Sequence, residues 1–161
     1  SNFPAMQLNQ YLCDTFLFND KANKMVLEKM QQMPDPSECI KHFSHLINCQ
    51  FKWMDRIMIY PATSALDWWN PVYPMDELAS YWDKSLQPWL DLLAEKSEAE
   101  LLENVVWIGV GNKPYTSPLK DLALQLNYHS IHHRAQMQLF IRQQGLTPDF
   151  VDYIGTIYKP I

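Results

Sequence analysis

Glycine is scarce in this chain, with four in 161 residues. Chains built from many tight turns and strand connections draw on glycine for left-handed backbone. Four glycines beside eight methionines and many leucines and glutamines therefore favour helix. Basic charge is also short: 13 Lys and Arg stand against 18 Asp and Glu, a net charge of −5. That balance gives no electrostatic footprint for phosphate backbones or anionic lipid, so neither nucleic acid nor a membrane is the expected partner. The three cysteines, Cys13, Cys39 and Cys49, are odd in number and lack CxxC spacing. They argue against a disulfide framework and suit free thiols in a reducing cytoplasm, the expected location. No apolar run reaches membrane-span length, and SNFPAMQLNQ lacks a basic segment followed by an apolar one, so no export signal is expected. Ser1 in place of Met suggests a processed start whose first residues carry no functional weight. The length fits one domain over residues 1–161, with room for one core.

What is present reads as a row of helices. From Met6 to Met33 there is no Gly or Pro, and Leu8, Leu12, Phe16, Ala22, Val26 and Met30 recur at helical steps. MPDP ends this helix and opens a second, with Asp35 as N-cap, Pro36 at N1 and Glu38 at N3, running to about Tyr60. Pro61 stops it, and PATSALDWWNPVYP is an aromatic-weighted loop in which Trp68 and Trp69 call for burial. A third helix is expected from Met75 to about Lys96, because Leu78, Trp82, Leu86, Trp89 and Leu93 keep one stripe across Pro88, where a kink is expected. NVVWIGVGNKPYTSP changes to β-branched and aromatic residues around a Gly-Asn turn, the signature of a small hairpin. Ser117 as N-cap and Pro118 at N1 open a fourth helix, which Gly145 and Pro148 close. The expected fold is all-α: a four-helix bundle, mainly antiparallel, with a β-hairpin before the last helix.

The stretch NYHSIHHRAQ holds three of the five histidines. On the fourth helix Leu119, Leu122, Leu126, Met137 and Phe140 form the core-facing stripe; His129 lies at its edge, His133 inside it and His132 on another flank. Two inward imidazoles one turn apart are costly to bury unless their ring nitrogens have partners. A divalent metal is one such partner, although the glutamate of HExxH is absent; hydrogen-bonded core histidines are the other reading. The remaining pair, His42 and His45, falls in the second helix, whose apolar arc is centred on Phe43, Leu46, Ile47, Met54 and Ile57. Periodicity places His42 at the border of that arc and His45 almost opposite it, which favours His42. Cys49, one turn after His45, is either a fourth ligand or, the preferred reading, a buried structural thiol.

HLINCQFKWMDRI, with Trp53 eight residues after His45, and NYHSIHHRAQMQLFIRQQG resemble the two signatures of the DinB-like metalloprotein superfamily. The second block is similar to the family's HxxxHRGQ followed by LRQxG. FNDKANKMVLEKM, the hairpin and DYIGTIY extend the likeness along the chain. The resemblance implies three metal ligands at His45, His129 and His133, and so chooses His45 over the His42 of the periodicity. Two departures stand out: Ala135 replaces the family's usual Gly, which loosens an argument for close packing there, and Cys49 stands where Ala is common. Arg134 matches the motif and reads as a surface or inter-helix partner before a catalytic group.

Three neutral imidazoles leave an ion with open positions, as in catalytic zinc sites. The set selects borderline metals, Zn or Ni first with Mn or Fe also suitable, over Ca and Mg. The resemblance implies a metal-dependent enzyme acting on a small-molecule substrate by activating a low-molecular-weight thiol, as an S-transferase or thiol-dependent isomerase. The alternatives are a hydrolase that activates water and a non-catalytic bundle braced by its metal. Trp68, Trp69 and Tyr73 are candidates for a cleft wall, and the resemblance implies a homodimer.

Overall fold

The computed structural model describes residues 6–161. Its helices are α1 (Leu8–Met30), α2 (Ser37–Ile59), α3 (Leu78–Glu95), the short α4 (Glu98–Leu102) and α5 (Leu119–Gln143). Strands β1 (Asn104–Ile108) and β2 (Pro114–Pro118) form an antiparallel hairpin immediately before α5. The four long helices close a ring: α1 packs on α3 and α5, and α2 packs on the same two. Their apolar stripes meet inside it, where Phe16, Phe43, Trp82 and Trp89 are almost wholly buried. Trp82 fixes the α1–α3 pairing by donating its indole N–H to Asp20 at 2.8 Å, and Trp89 fixes α2–α3 by donating to the Gln50 carbonyl at 3.0 Å.

The expected bundle is therefore present, with differences at the element ends. α2 starts one residue later than the Asp35 frame, with Pro36 at the cap position, yet Asp35 still accepts from the Ser37 N–H at 3.1 Å and satisfies a first-turn donor. α3 runs through Pro88 as one helix, with the predicted Trp82, Leu86, Trp89 and Leu93 stripe buried. α5 starts one residue later than expected, with Pro118 and not Ser117 at the cap position, and both residues also end β2, paired with Asn104 and Val105. α4 was not expected, although Ser97 and Glu100 form the reciprocal capping box that announces such a turn in sequence. At the hairpin end Gly111 and Asn112 both take positive φ, 71° and 56°, as the Gly-Asn turn requires.

The long connection between α2 and α3 is anchored to α2 by side chains. Tyr73 donates its backbone N–H to Ser44 Oγ at 3.0 Å and its hydroxyl to Asn48 Oδ1 at 2.8 Å, while Asn48 Nδ2 donates to the Pro71 carbonyl at 3.1 Å. Asp67 Oδ1 accepts from the N–H groups of Trp69 and Asn70 at 2.7 and 2.8 Å, which folds the loop into a local turn. The two tryptophans are thereby laid over the middle of α2. Trp68 is half-buried, whereas Trp69 keeps 38% of its surface exposed, so the expected burial of both is only partly met.

Candidate metal centre

Four of the five histidines meet where α2 faces α5. Across that seam His45 Nε2 lies 2.9 Å from His129 Nε2, and His42 Nδ1 lies 3.0 Å from His133 Nδ1. The rings of His45, His129 and His133 stand 4.6 to 5.1 Å apart, centre to centre. His132, as its angular position implied, is on the exposed side.

His45 is held from two directions. Its Nδ1 is 2.7 Å from the Trp68 carbonyl, and its ring stacks on Trp69 at 3.8 Å and 9°. A carbonyl only accepts, so Nδ1 carries the proton and the neutral ring offers the Nε2 lone pair to the cluster. His133 has a parallel arrangement, with Nδ1 engaged by His42 and Nε2 left over. An imidazole whose far nitrogen is tied by a carbonyl or another ring is the usual support of a metal-binding histidine.

Burial pushes the pKa values of His42, His45 and His129 down. For His133 burial, reinforced by the neighbouring imidazoles of His45, His129 and His42, lowers it to about 3. The cluster is thus neutral at physiological pH, the protonation state that metal coordination needs. Cys49 belongs to the tightest donor group: its Sγ is 3.5 Å from His45 Nε2, and the donor atoms of His45, Cys49 and His129 all lie within 4.8 Å of one another, a set that does not include the expected ligand His133. Burial raises the Cys49 thiol to about 12, so without a metal it remains an S–H group. This donor set, of uncharged imidazoles and one thiol, is compatible with a borderline divalent metal ion and unlike the all-oxygen sets of Ca²⁺ and Mg²⁺.

The cluster opens into a cavity of about 400 Å³ lined by Trp53, Trp68, Trp69, Gln125 and Leu126 besides Cys49 and the three histidines. Trp107 of β1 packs edge-on against Trp53 at 5.2 Å, which is how the hairpin supports the cavity wall. Of the aromatic residues expected to line a cleft, Trp68 and Trp69 do, and Tyr73 does not. It is buried against Tyr81, with ring centres 4.2 Å apart, and serves as the loop's anchor. Lys52 and Arg56 lie over Trp68, each 4.8 Å from its ring centre, and make the rim cationic.

Arg134 is not at the surface. It is 5% exposed and donates through Nη1 to Asn19 Oδ1 and Asn23 Oδ1, both at 2.8 Å, so it joins α5 to α1 on the side away from the imidazoles. The Asn19 and Asn23 partners went unread in the sequence, because buried amides at i and i+4 of a helix carry no apolar signal. Ala135 is exposed, so no close packing within the chain depends on the missing glycine.

A helical bundle with an imidazole and thiol cluster between two of its helices defines a candidate metal-binding protein. Residues 26–137 match the family model of the DinB superfamily, and the chain belongs to that superfamily. No curated protein and no solved structure gives a match.

Proposed function

We propose that His45, His129 and His133 hold one divalent ion, Zn²⁺ or Ni²⁺ first and Mn²⁺ or Fe²⁺ next, and that the protein is a metal-dependent enzyme that activates a low-molecular-weight thiol. The observation that carries this reading is the pair of supported rings. His45 and His133 each have Nδ1 engaged from outside, by Trp68 and His42, and His129 Nε2 lies 2.9 Å from His45 Nε2 at the edge of an aromatic-walled cavity. A divalent ion bound there supplies a Lewis acid that favours the thiolate form of a bound thiol. Trp68 and Trp69 screen the cluster from bulk water, and the stacked Trp69 keeps the His45 ring from rotating. Cys49 is assigned as a neighbour and not a ligand because the superfamily's motif puts the three ligands on histidines; its Sγ, 3.5 Å from His45 Nε2, makes it the competing third donor.

Thiol chemistry ranks ahead of hydrolysis on a feature of the lining: no Asp or Glu borders the cavity, so a carboxylate general base for water is missing among the described residues. The test is conjugation of glutathione, cysteine or another cellular thiol to a chloro-aromatic electrophile by metal-loaded protein. In that reaction the thiol proton passes to solvent, the S–C bond forms and chloride leaves. Metal-dependent conjugation by the wild type that His133→Ala loses supports the reading. Ester or amide hydrolysis with no thiol present would replace it with the hydrolase. Inertness in both assays, with thermal stability lost in His133→Ala, would replace it with a structural metal.

A further inference from the structure

On the opposite side of α5 from the imidazoles, between α1 and α5, lies a second cavity of about 240 Å³. Its floor holds Arg134, which is 5% exposed and forms no ion pair among the described residues. A buried cation without a carboxylate is costly, since neutral dipoles replace only part of its hydration. Of the five N–H donors of a guanidinium, the two on Nη1 are taken by Asn19 and Asn23. Those on Nε and Nη2 have no partner among the described residues, and these two nitrogens form the edge that engages a carboxylate with two parallel hydrogen bonds. Asn127 also lines the cavity, and its Nδ2 is taken up by Thr15 Oγ1, so among the described residues the free donors of Arg134 are left for the anion. The walls are apolar and aromatic: Tyr11, Phe18, Tyr128, Tyr153 and Ile131. Among the described residues, no acidic side chain and no second cation lines the cavity.

We propose that this cavity is a binding site for a small organic carboxylate with an aromatic or similarly sized apolar body, its carboxylate on Arg134. One guanidinium matches a singly charged, planar anion, and a phosphate dianion would find no second cation. The aromatic walls supply the stacking and edge contacts that a ring-bearing acid uses. Burial lowers the Arg134 pKa to about 10, which leaves the guanidinium charged at neutral pH. The site is independent of the metal, because none of its lining residues belongs to the imidazole cluster.

The test is calorimetric titration of the full chain, held in chelator, with benzoate, phenylacetate and indole-3-acetate, and with benzyl alcohol and phenyl phosphate as comparisons. At least one aryl carboxylate is expected to bind saturably at one site, with the alcohol weaker by about tenfold or more, the scale of a lost charge-assisted hydrogen bond. Arg134→Gln is expected to weaken the carboxylate by a similar factor. Because that variant alters a buried inter-helix contact, Ile131→Trp provides the second arm: Ile131 is half exposed at the cavity wall, and the larger ring fills the space while leaving Arg134 in place. Loss of carboxylate binding in a folded Ile131→Trp supports the site. The proposal is overturned by absence of saturable binding at millimolar ligand, by equal binding of benzyl alcohol, by tighter binding of phenyl phosphate than of every carboxylate, or by carboxylate binding that survives Ile131→Trp. Binding that appears only when metal is restored would place the anion on the imidazole cluster and overturn it equally. So would a wild-type dimer that Ile131→Trp dissociates and that takes up no carboxylate, since the face would then be a contact between two copies.

Discussion

His45 and His42 sit within a turn of each other on α2 and make different contacts. His45 has its Nδ1 on a backbone carbonyl and its Nε2 facing His129, whereas His42 reaches the cluster through the Nδ1 of His133. Under the proposed ligand set, loss of His45 removes a donor and loss of His42 removes a support. His45→Ala is expected to abolish stoichiometric metal uptake, while His42→Ala keeps one ion and weakens it by about 10–100-fold, the usual effect of losing a supporting partner. Elemental analysis after dialysis against graded chelator reads both, and metal retained in His45→Ala but lost in His42→Ala would exchange the two assignments. On α5, the inward placement of His129 and His133 was legible in the sequence because an i, i+4 pair on the core-facing stripe stays on that face once the helix packs. His45 was not legible from periodicity. Every residue from Phe43 to Gln50 is buried, because the face of α2 opposite its apolar arc is roofed by the tryptophan loop. A helix covered on all sides has no polar face for the pattern to report.

At the scale of elements, the interiors of the long helices could be read and their junctions could not. Stripes such as Leu78, Trp82, Leu86, Trp89 and Leu93 are set by packing that repeats over several turns. A junction depends on one or two residues. Ser117-Pro118 has the composition of a helix start and does lead into α5, but pairing with Val105 and Asn104 holds both residues in β2 and moves the cap from Ser117 to Pro118. The tryptophan loop is the element on which the site depends most, since it delivers both the Trp68 carbonyl and the Trp69 ring to His45. Its anchor is Tyr73, which caps Asn48 from inside the core. Tyr73→Phe leaves Asn48 Oδ1 without that donor and is expected to destabilise the fold by about 1–2 kcal/mol. Because the anchor also holds the loop, metal affinity should fall with it. Denaturant melts read the first effect and chelator competition the second; a variant as stable as wild type, with unchanged affinity, would show that the loop is held elsewhere.

For the molecule as a whole, no described helix is long and apolar enough to cross a membrane, and the feature that dominates its response to solution conditions is the knot of four neutral imidazoles. All four have pKa values lowered by burial. The unfolded chain takes up protons on these rings below about pH 6.5, where the folded chain does not, so metal-free protein loses stability as pH falls from about 6.5 towards 5. Denaturant midpoints of chelated protein at the two ends of that window should differ, and the difference should shrink in His129→Gln. A midpoint unchanged across the window would mean that the rings take up protons as readily in the fold as in the unfolded chain.

If imidazoles alone hold the ion and leave a position open for a thiol, X-ray absorption at the zinc edge of zinc-loaded protein will see it. Before any thiol is added, only nitrogen and oxygen neighbours at about 2.0–2.1 Å are expected, and a sulfur neighbour at about 2.3 Å should enter when glutathione or another small thiol is supplied. A sulfur shell already present in the thiol-free protein and missing from Cys49→Ser would contradict it, because Cys49 would then be occupying the position reserved for the substrate.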